Sequence, residues 1–134
     1  MIGLDTNILV RLLVEDDPKQ TRLAAQFIGE HCSPMAPGFI DRIALCETVW
    51  VLTSAYDYSR AAVASVVRQL IASADILLED GKLVESALSV FERGSADLSD
   101  ALMAQVNRAK GCTATATFDR KASKLSQFKL ITVP

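Results

Sequence analysis

The chain has 134 residues, with sixteen acidic side chains but only three cysteines and one histidine, and this inventory restricts the chemistry open to it. Zinc sites built on histidine and Ser-His-Asp or Cys-His catalysis all need a histidine with partners. His31 instead falls at the predicted end of a helix, where the helix dipole favours a cation. Neither G-x-x-x-x-G-K-[ST] nor G-x-G-x-x-G occurs, so a glycine loop that cradles phosphate is excluded. Cys32, Cys46 and Cys112 are odd in number and include no C-x-x-C. They read as small buried hydrophobes of a reducing compartment, not as a disulfide framework. The remaining chemistry must run mostly on carboxylates.

Asp5 and Asp119 each follow an apolar strand at its C-terminal end, the edge at which open α/β sheets bind ligands. The same position also suits a helix N-cap. Asp97 and Asp100 surround the start of a helix, and their three-residue spacing puts them on one face, where one could serve as a cap. Glu47 lies inside the window 43–52 (IALCETVWVL), and its i−4, i+3 and i+4 neighbours are Ile43, Trp50 and Val51. The pattern predicts a carboxylate on an apolar, buried helix face, where capping does not explain it. There the desolvation cost must be offset by a cation or by an ion pair with arginine. The physical reading is that Asp5, Glu47, Asp100 and Asp119 converge at one end of a sheet. Four clustered carboxylates repel one another, and with no histidine or cysteine nearby the cation suited to relieve them is a hard one such as Mg²⁺ or Mn²⁺. Such sites activate water and stabilise a phosphodiester during in-line displacement.

The elements that would position these residues alternate. Residues 2–4 read as a strand that turns through Asp5-Thr6-Asn7 into a helix at 7–14. Asp17-Pro18 opens a second helix with an apolar stripe of Leu23, Ala24, Phe27 and Ile28, ending near 29–32. Pro34 and Pro37 punctuate a loop or short edge strand through Phe39-Ile40, and a third helix spans 41–56. Ser59 opens a fourth, with Val63, Val66, Val67, Leu70 and Ile71 at helical spacing. A buried strand at 75–79, helices at 81–93 and 97–110 (the latter stopped by Gly111), and strands at 113–118 and 129–133 complete the reading. Strands separated by helices predict a parallel sheet covered on both faces. The expectation is therefore a single α/β domain over 1–134, a three-layer sandwich with a central, mainly parallel sheet of four to five strands.

Four segments now stand in order: Asp5-Thr6-Asn7 after the first strand, Glu47 followed by Trp50-Val51-Leu52, the L-S-D-A-L of 98–102, and Thr117-Phe118-Asp119-Arg120. Together they resemble the PIN-domain ribonucleases, in particular the VapC-type toxins of bacterial toxin–antitoxin pairs, over nearly the whole chain. The resemblance implies that Asp5, Glu47, Asp100 and Asp119 form an acidic metal-binding and catalytic quartet, with Asp97 as a further acidic position. Thr6 and Asn7 match a polar pair that supports the first aspartate, and Thr117 matches a hydroxyl near the last, each orienting ligands by hydrogen bonds. It also implies Mg²⁺- or Mn²⁺-dependent endonucleolytic hydrolysis of RNA, and a small antitoxin partner that covers the site and itself binds DNA. This chain shows no DNA-reading motif of its own. A phosphate-handling domain with an aspartyl nucleophile would carry D-x-D where this chain has Asn7, and a receiver-type domain would carry an acidic pair there. The remaining alternative is a non-catalytic PIN-like module that binds RNA or protein, which would be expected to have a broken quartet.

The formal charge of −2 argues at first against a nucleic-acid substrate, but the mean conceals an asymmetry. Residues 1–100 carry eight cations and fifteen acids, net −7, whereas residues 101–134 carry six cations and only Asp119, net +5. Arg108, Lys110, Arg120, Lys121, Lys124 and Lys129 share that segment, and Arg120, Lys121 and Lys124 are expected to guide the RNA backbone. The Val63/Val66/Val67/Leu70 stripe and the run 9–14 hold more apolar surface than a small sheet needs, which suggests a homodimer face. No apolar run approaches the ~18 residues of a membrane span, and a cytoplasmic location is expected.

Overall fold

The computed structural model describes residues 1–134, in two units, Met1–Gly81 and Lys82–Pro134. The first begins with β1 (Ile2–Gly3), α1 (Thr6–Val14), α2 (Pro18–His31) and β2 (Gly38–Ile40), and continues through α3 (Arg42–Ala55), α4 (Arg60–Ala72) and β3 (Ile76–Leu78). Its helices start where short polar side chains can accept from otherwise unpaired backbone N–H groups. Asp17 accepts from the Gln20 amide at 3.1 Å, Asp41 from Ala44 at 2.7 Å and Ser59 from Ala62 at 3.1 Å. Pro18 takes the first helical position, where its missing N–H is not needed.

The three strands form one parallel sheet in the order β1-β2-β3, with Ile2 beside Gly38 and Gly38 beside Ile76. The segment predicted as a loop or edge strand is thus the central strand. Pro37 lies just outside it, so every N–H from Gly38 onward is free for the ladder, and the Gly38 amide donates to the Asp75 carbonyl at 2.8 Å. Gly38 is also set by packing. A Cβ there would meet Leu4 Cδ1 at 2.8 Å and Cys32 Sγ at 3.0 Å, so even alanine would force the core apart.

Leu9, Ile40, Leu45, Leu52, Val63 and Val67 are almost completely buried in this unit, each contributing roughly 1.5–3 kcal/mol by leaving water. Much of the two stripes proposed as a dimer face is therefore core. The opposite correction applies to α2, where only Ala24 is buried and Leu23 and Phe27 are exposed. His31 closes that helix with its ring 4.4 Å from the Phe27 ring, as the helix-end reading implies.

The second unit contains α5 (Gly81–Arg93, its first residue on the boundary), α6 (Leu98–Ala109), β4 (Thr115–Thr117), a 3₁₀ turn (Ala122–Lys124) and β5 (Phe128–Leu130). Val84, Ala87, Leu88 and Phe91 make the buried face of α5, and Ala104, Ala122 and Phe128 pack together with Leu125 beneath the turn. Gly111, at φ +99°, ends the α6 segment in a conformation that side chains rarely adopt. β4 and β5 pair in parallel as a separate two-stranded sheet. The α/β class with six helices and parallel strands is as predicted, but the expected sheet of four to five strands is hydrogen-bonded as three plus two. Strands of two or three residues offer few ladder bonds, and each sheet ends where its short ladder ends. Among the cysteines only Cys32 is buried; Cys46 is half-buried, where burial pushes its thiol up, and Cys112 is exposed. No helix is long and apolar enough to cross a membrane.

Candidate functional site

In the first unit, β1 delivers Asp5 to its C-terminal end, where it becomes the N-cap of α1 and accepts from the Thr6 amide at 2.7 Å. The Thr6 hydroxyl donates to Glu47 Oε2 on α3 at 2.9 Å. One threonine therefore holds both carboxylates, its backbone gripping Asp5 and its side chain gripping Glu47. The sequence suggested only that Thr6 supports the first aspartate; its second role depends on the approach of α1 to α3. Asn7 is exposed in the first turn of α1. A cleft of about 440 Å³ is lined by Gly3, Leu4, Asp5, Phe39, Asp41 and Glu47, among others.

Glu47 is not buried. It is exposed, between Ile43 at 72% and Trp50 at 69% exposure, and its partner is the Thr6 hydroxyl, not an arginine. α3 carries two apolar stripes, one of Ala44, Leu45, Val49 and Leu52 turned to the core and one of Ile43 and Trp50 turned to solvent. Periodicity alone merges them. The desolvation argument for Glu47 therefore falls, and its case rests on position.

The other strand-end acids of this unit are engaged structurally. Asp41 caps α3 while its side chain borders the cleft, a placement the sequence did not single out. Glu79 accepts from the Arg42 amide at 2.8 Å and pairs with its guanidinium at 3.4 Å, and Asp80 lies 3.6 Å from the same group. Position at a strand end thus does not by itself mark a candidate.

In the second unit, Asp97 precedes α6 but makes no side-chain capping bond. Its carboxylate instead faces the Lys121 ammonium at 3.3 Å. Asp100, one turn into α6, is half-buried. Its carboxyl is pushed above the usual range, first by burial and then by the charges of Asp97 and Asp119, with Lys121 opposing. Asp119 follows β4, and its Oδ1 accepts from the Lys121 amide at 2.8 Å and the Ala122 amide at 3.3 Å. Its own amide donates to the Thr117 hydroxyl at 2.9 Å. Arg120 and Lys124 are exposed, whereas Lys121 is partly committed to Asp97.

The structure therefore brings Asp5 together with Glu47 in one unit, and groups Asp97, Asp100 and Asp119 around Lys121 in the other. Within neither unit do three acidic, histidine or cysteine side chains already form a group that could hold a metal ion. The donors are nonetheless all carboxylate oxygens, the type suited to Mg²⁺ or Mn²⁺. Burial first, and then the negative charges of Asp97 and Asp119, raise the Asp100 carboxyl, and a bound cation would relieve the second of these contributions.

Parallel strands that end in carboxylates, followed by helices, define an α/β protein whose candidate chemistry lies beyond the strand ends. The PIN domain family model matches residues 2–127, and the chain belongs to the PIN-domain family. Members of this family are in general nucleases that require divalent metals. No curated protein and no solved structure shows significant similarity to the chain.

Proposed function

We propose that this PIN-domain protein is an Mg²⁺- or Mn²⁺-dependent endoribonuclease, the toxin of a toxin–antitoxin pair of the VapC type. The observation that carries the reading is the Asp5–Thr6–Glu47 arrangement. Two carboxylates distant in sequence share one small residue as their anchor, at the end of a strand and on the rim of a cleft. A structural role accounts for the cap at Asp5 but not for the exposed Glu47.

The carboxylates that would hold a cation are Asp5 and Glu47 in the first unit and Asp100 and Asp119 in the second, with Asp97 secondary. When bound, a divalent cation supplies the charge that polarises water and offsets the negative charge of a phosphodiester in the transition state. Thr6 fixes the Glu47 carboxylate, Thr117 and the turn amides fix Asp119, and Arg120, Lys121 and Lys124 attract the RNA backbone. A small antitoxin protein and a second copy of this chain are the proposed partners. The exposed Leu23 and Phe27 of α2 are compatible with an interface.

The test is cleavage of RNA by the purified protein. Activity should disappear in EDTA and return with added Mg²⁺ or Mn²⁺, and sequencing the new ends identifies the preferred substrate. Cleavage that persists in EDTA removes the metal-dependent reading, and binding of RNA without cleavage under any divalent metal favours the non-catalytic module.

A further inference from the structure

Asp119 follows β4, and the other end of that strand opens onto a cleft of about 380 Å³. Arg108 and Cys112, from the end of α6 and the turn after it, line this cleft with Thr113 and Thr115, which lead into β4, and Ser126 and Gln127, which lead into β5. β4 has three residues, so about 10 Å of strand separate the two ends. No acidic side chain lines the cleft, and Asp119, at the far end, is the only acid among residues 101–134. The partner of the Arg108 guanidinium is a neutral amide. The Gln127 side chain accepts from Arg108 Nη1 at 2.9 Å while donating to the Ala104 carbonyl at 3.0 Å, so the charge is held in place without being compensated. The helix dipole accounts for a cation in the last turn of α6, but not for an amide that fixes it at the mouth of a cleft.

We infer that this cleft binds a phosphate monoester of mononucleotide size, at a site separate from Asp119 and independent of the nuclease reading. A guanidinium has five N–H donors in a planar fork, and Gln127 occupies only one nitrogen of it. The remainder suits an oxyanion gripped through two oxygens. Further donors surround it. The Thr115 hydroxyl accepts from Asn107 at 2.9 Å, which leaves its own proton to donate, and Thr113 and Ser126 add two more hydroxyls. The backbone N–H groups of Thr113, Ala114, Ser126 and Gln127 donate to no acceptor in the chain. So many donors around one cation exceed what the two oxygens of a carboxylate can use and match the oxygens of a phosphate. The carbonyls at the end of α6, which would repel an anion, are taken up by the Lys110, Gly111 and Cys112 amides. A phosphate fills only part of the volume, which falls in the lower range of small-molecule sites at roughly 300–1,000 Å³, so the remainder accommodates the group the phosphate is attached to.

Cys112 is the one exposed cysteine and lines the cleft, so its rate of alkylation by the neutral reagent iodoacetamide, read by peptide mass, reports on occupancy. The titration is run in EDTA, which keeps the ligand off any cation at the carboxylates, and at constant ionic strength set with chloride. Adenosine monophosphate should slow the alkylation saturably, inorganic phosphate should do so more weakly, and adenosine should have no effect. Arg108→Gln removes hydrogen bonds of the charged kind and should weaken the protection by adenosine monophosphate about 10- to 100-fold, with Arg108→Lys in between. Thr113→Ala and Ser126→Ala, in the loops that precede β4 and β5, should each weaken it about 2- to 10-fold, and they carry the test if the helix variant does not fold. Wild-type protection in the folded variants, or equal protection by adenosine, overturns the inference. Protection by a ten-nucleotide RNA with none by the mononucleotide assigns the cleft to an RNA strand and also overturns it.

Discussion

Asp5 and Glu47, in the first unit, are held by hydrogen bonds from a single neutral residue, and no cation stands against them. In the second unit Asp97 faces the Lys121 ammonium at 3.3 Å, and Asp100 is half-buried in the field of two other aspartates. One pair is pre-organised by hydrogen bonding and the other group is partly neutralised by an internal cation. The first arrangement fixes geometry and leaves charge to be supplied. In the second, burial and neighbouring negative charge both disfavour the ionised Asp100 carboxyl. If both serve one metal-dependent reaction, breaking each should fail in a different way.

Among changes to the residues that hold or offset the carboxylates, the largest effect is expected from Thr6→Val. The backbone cap on Asp5 survives, since it uses the Thr6 amide, but Glu47 loses its anchor. Removing an outer partner of a metal ligand of this kind lowers metal affinity or activity by about 10- to 100-fold, measured as the Mg²⁺ dependence of cleavage. A wild-type Mg²⁺ curve would show that the Thr6 hydroxyl does no positioning.

Lys121→Met acts on the other group and in the opposite sense. An ammonium beside exposed carboxylates is worth on the order of 1 kcal/mol at about 4 Å in water, so its removal should lower the half-saturating Mg²⁺ concentration roughly fivefold. An unchanged or higher value would mean that Lys121 is no competitor of the metal.

Asp100→Asn gives a smaller, stabilising effect. Because the folded pKa of Asp100 is raised, the favourable contribution is present below its ordinary pKa and is lost as pH rises through the folded value. At pH 7 the ionised carboxylate is therefore a burden. Its removal should raise stability by less than about 1 kcal/mol, since solvent screens a group that is only partly buried, and Tm should rise by a few degrees while activity falls. A lower Tm would contradict the charge crowding inferred for this group.

Legibility from sequence followed the same division. The helix starts at Asp17 and Ser59 were readable because a short polar side chain before an apolar period has one favoured use. The limits of α5 were readable for a similar reason, a single apolar stripe bounded by Gly81 and Arg93. Glu47 was placed on the correct helix but the wrong side of burial, because α3 is apolar on two faces and a periodic pattern does not say which one meets the core. The central place of β2 was hidden by its three-residue length and flanking proline. The Asp97–Lys121 pair joins residues 24 apart in the chain, a contact set by tertiary packing. What identified Asp5 and Asp119 as candidates was their position after strands. What the structure adds is how each is held.

The smallest expected effect lies away from both groups. Arg11 pairs with Asp16 at 2.8 Å, and the Tyr56 hydroxyl donates to Asp16 at 2.7 Å. These contacts, led by the Tyr56 hydrogen bond, hold the Asp16 carboxyl below the usual range. The stabilising contribution of a lowered carboxyl is present above its unfolded pKa and is lost as pH falls through the folded value. Tyr56→Phe should therefore lower Tm slightly at pH 7, and the gap should close as the pH is taken down through the carboxylate range. A gap that persists in acid would assign the loss to something other than this pair. Cleavage should be unaffected, which separates structural ion pairs from the two groups of candidate ligands.

The central proposal, that Asp5 of the first unit and Asp119 of the second are each needed for RNA cleavage, is tested most directly by comparing Asp5→Asn and Asp119→Asn on one single-stranded RNA in saturating Mg²⁺. Asparagine caps a helix about as well as aspartate, so both variants should keep a wild-type fold while losing the charge. The account predicts that each cleaves at least about 100-fold more slowly than the wild type, a loss of roughly 2.7 kcal/mol of transition-state stabilisation. Wild-type cleavage by either folded variant would contradict it.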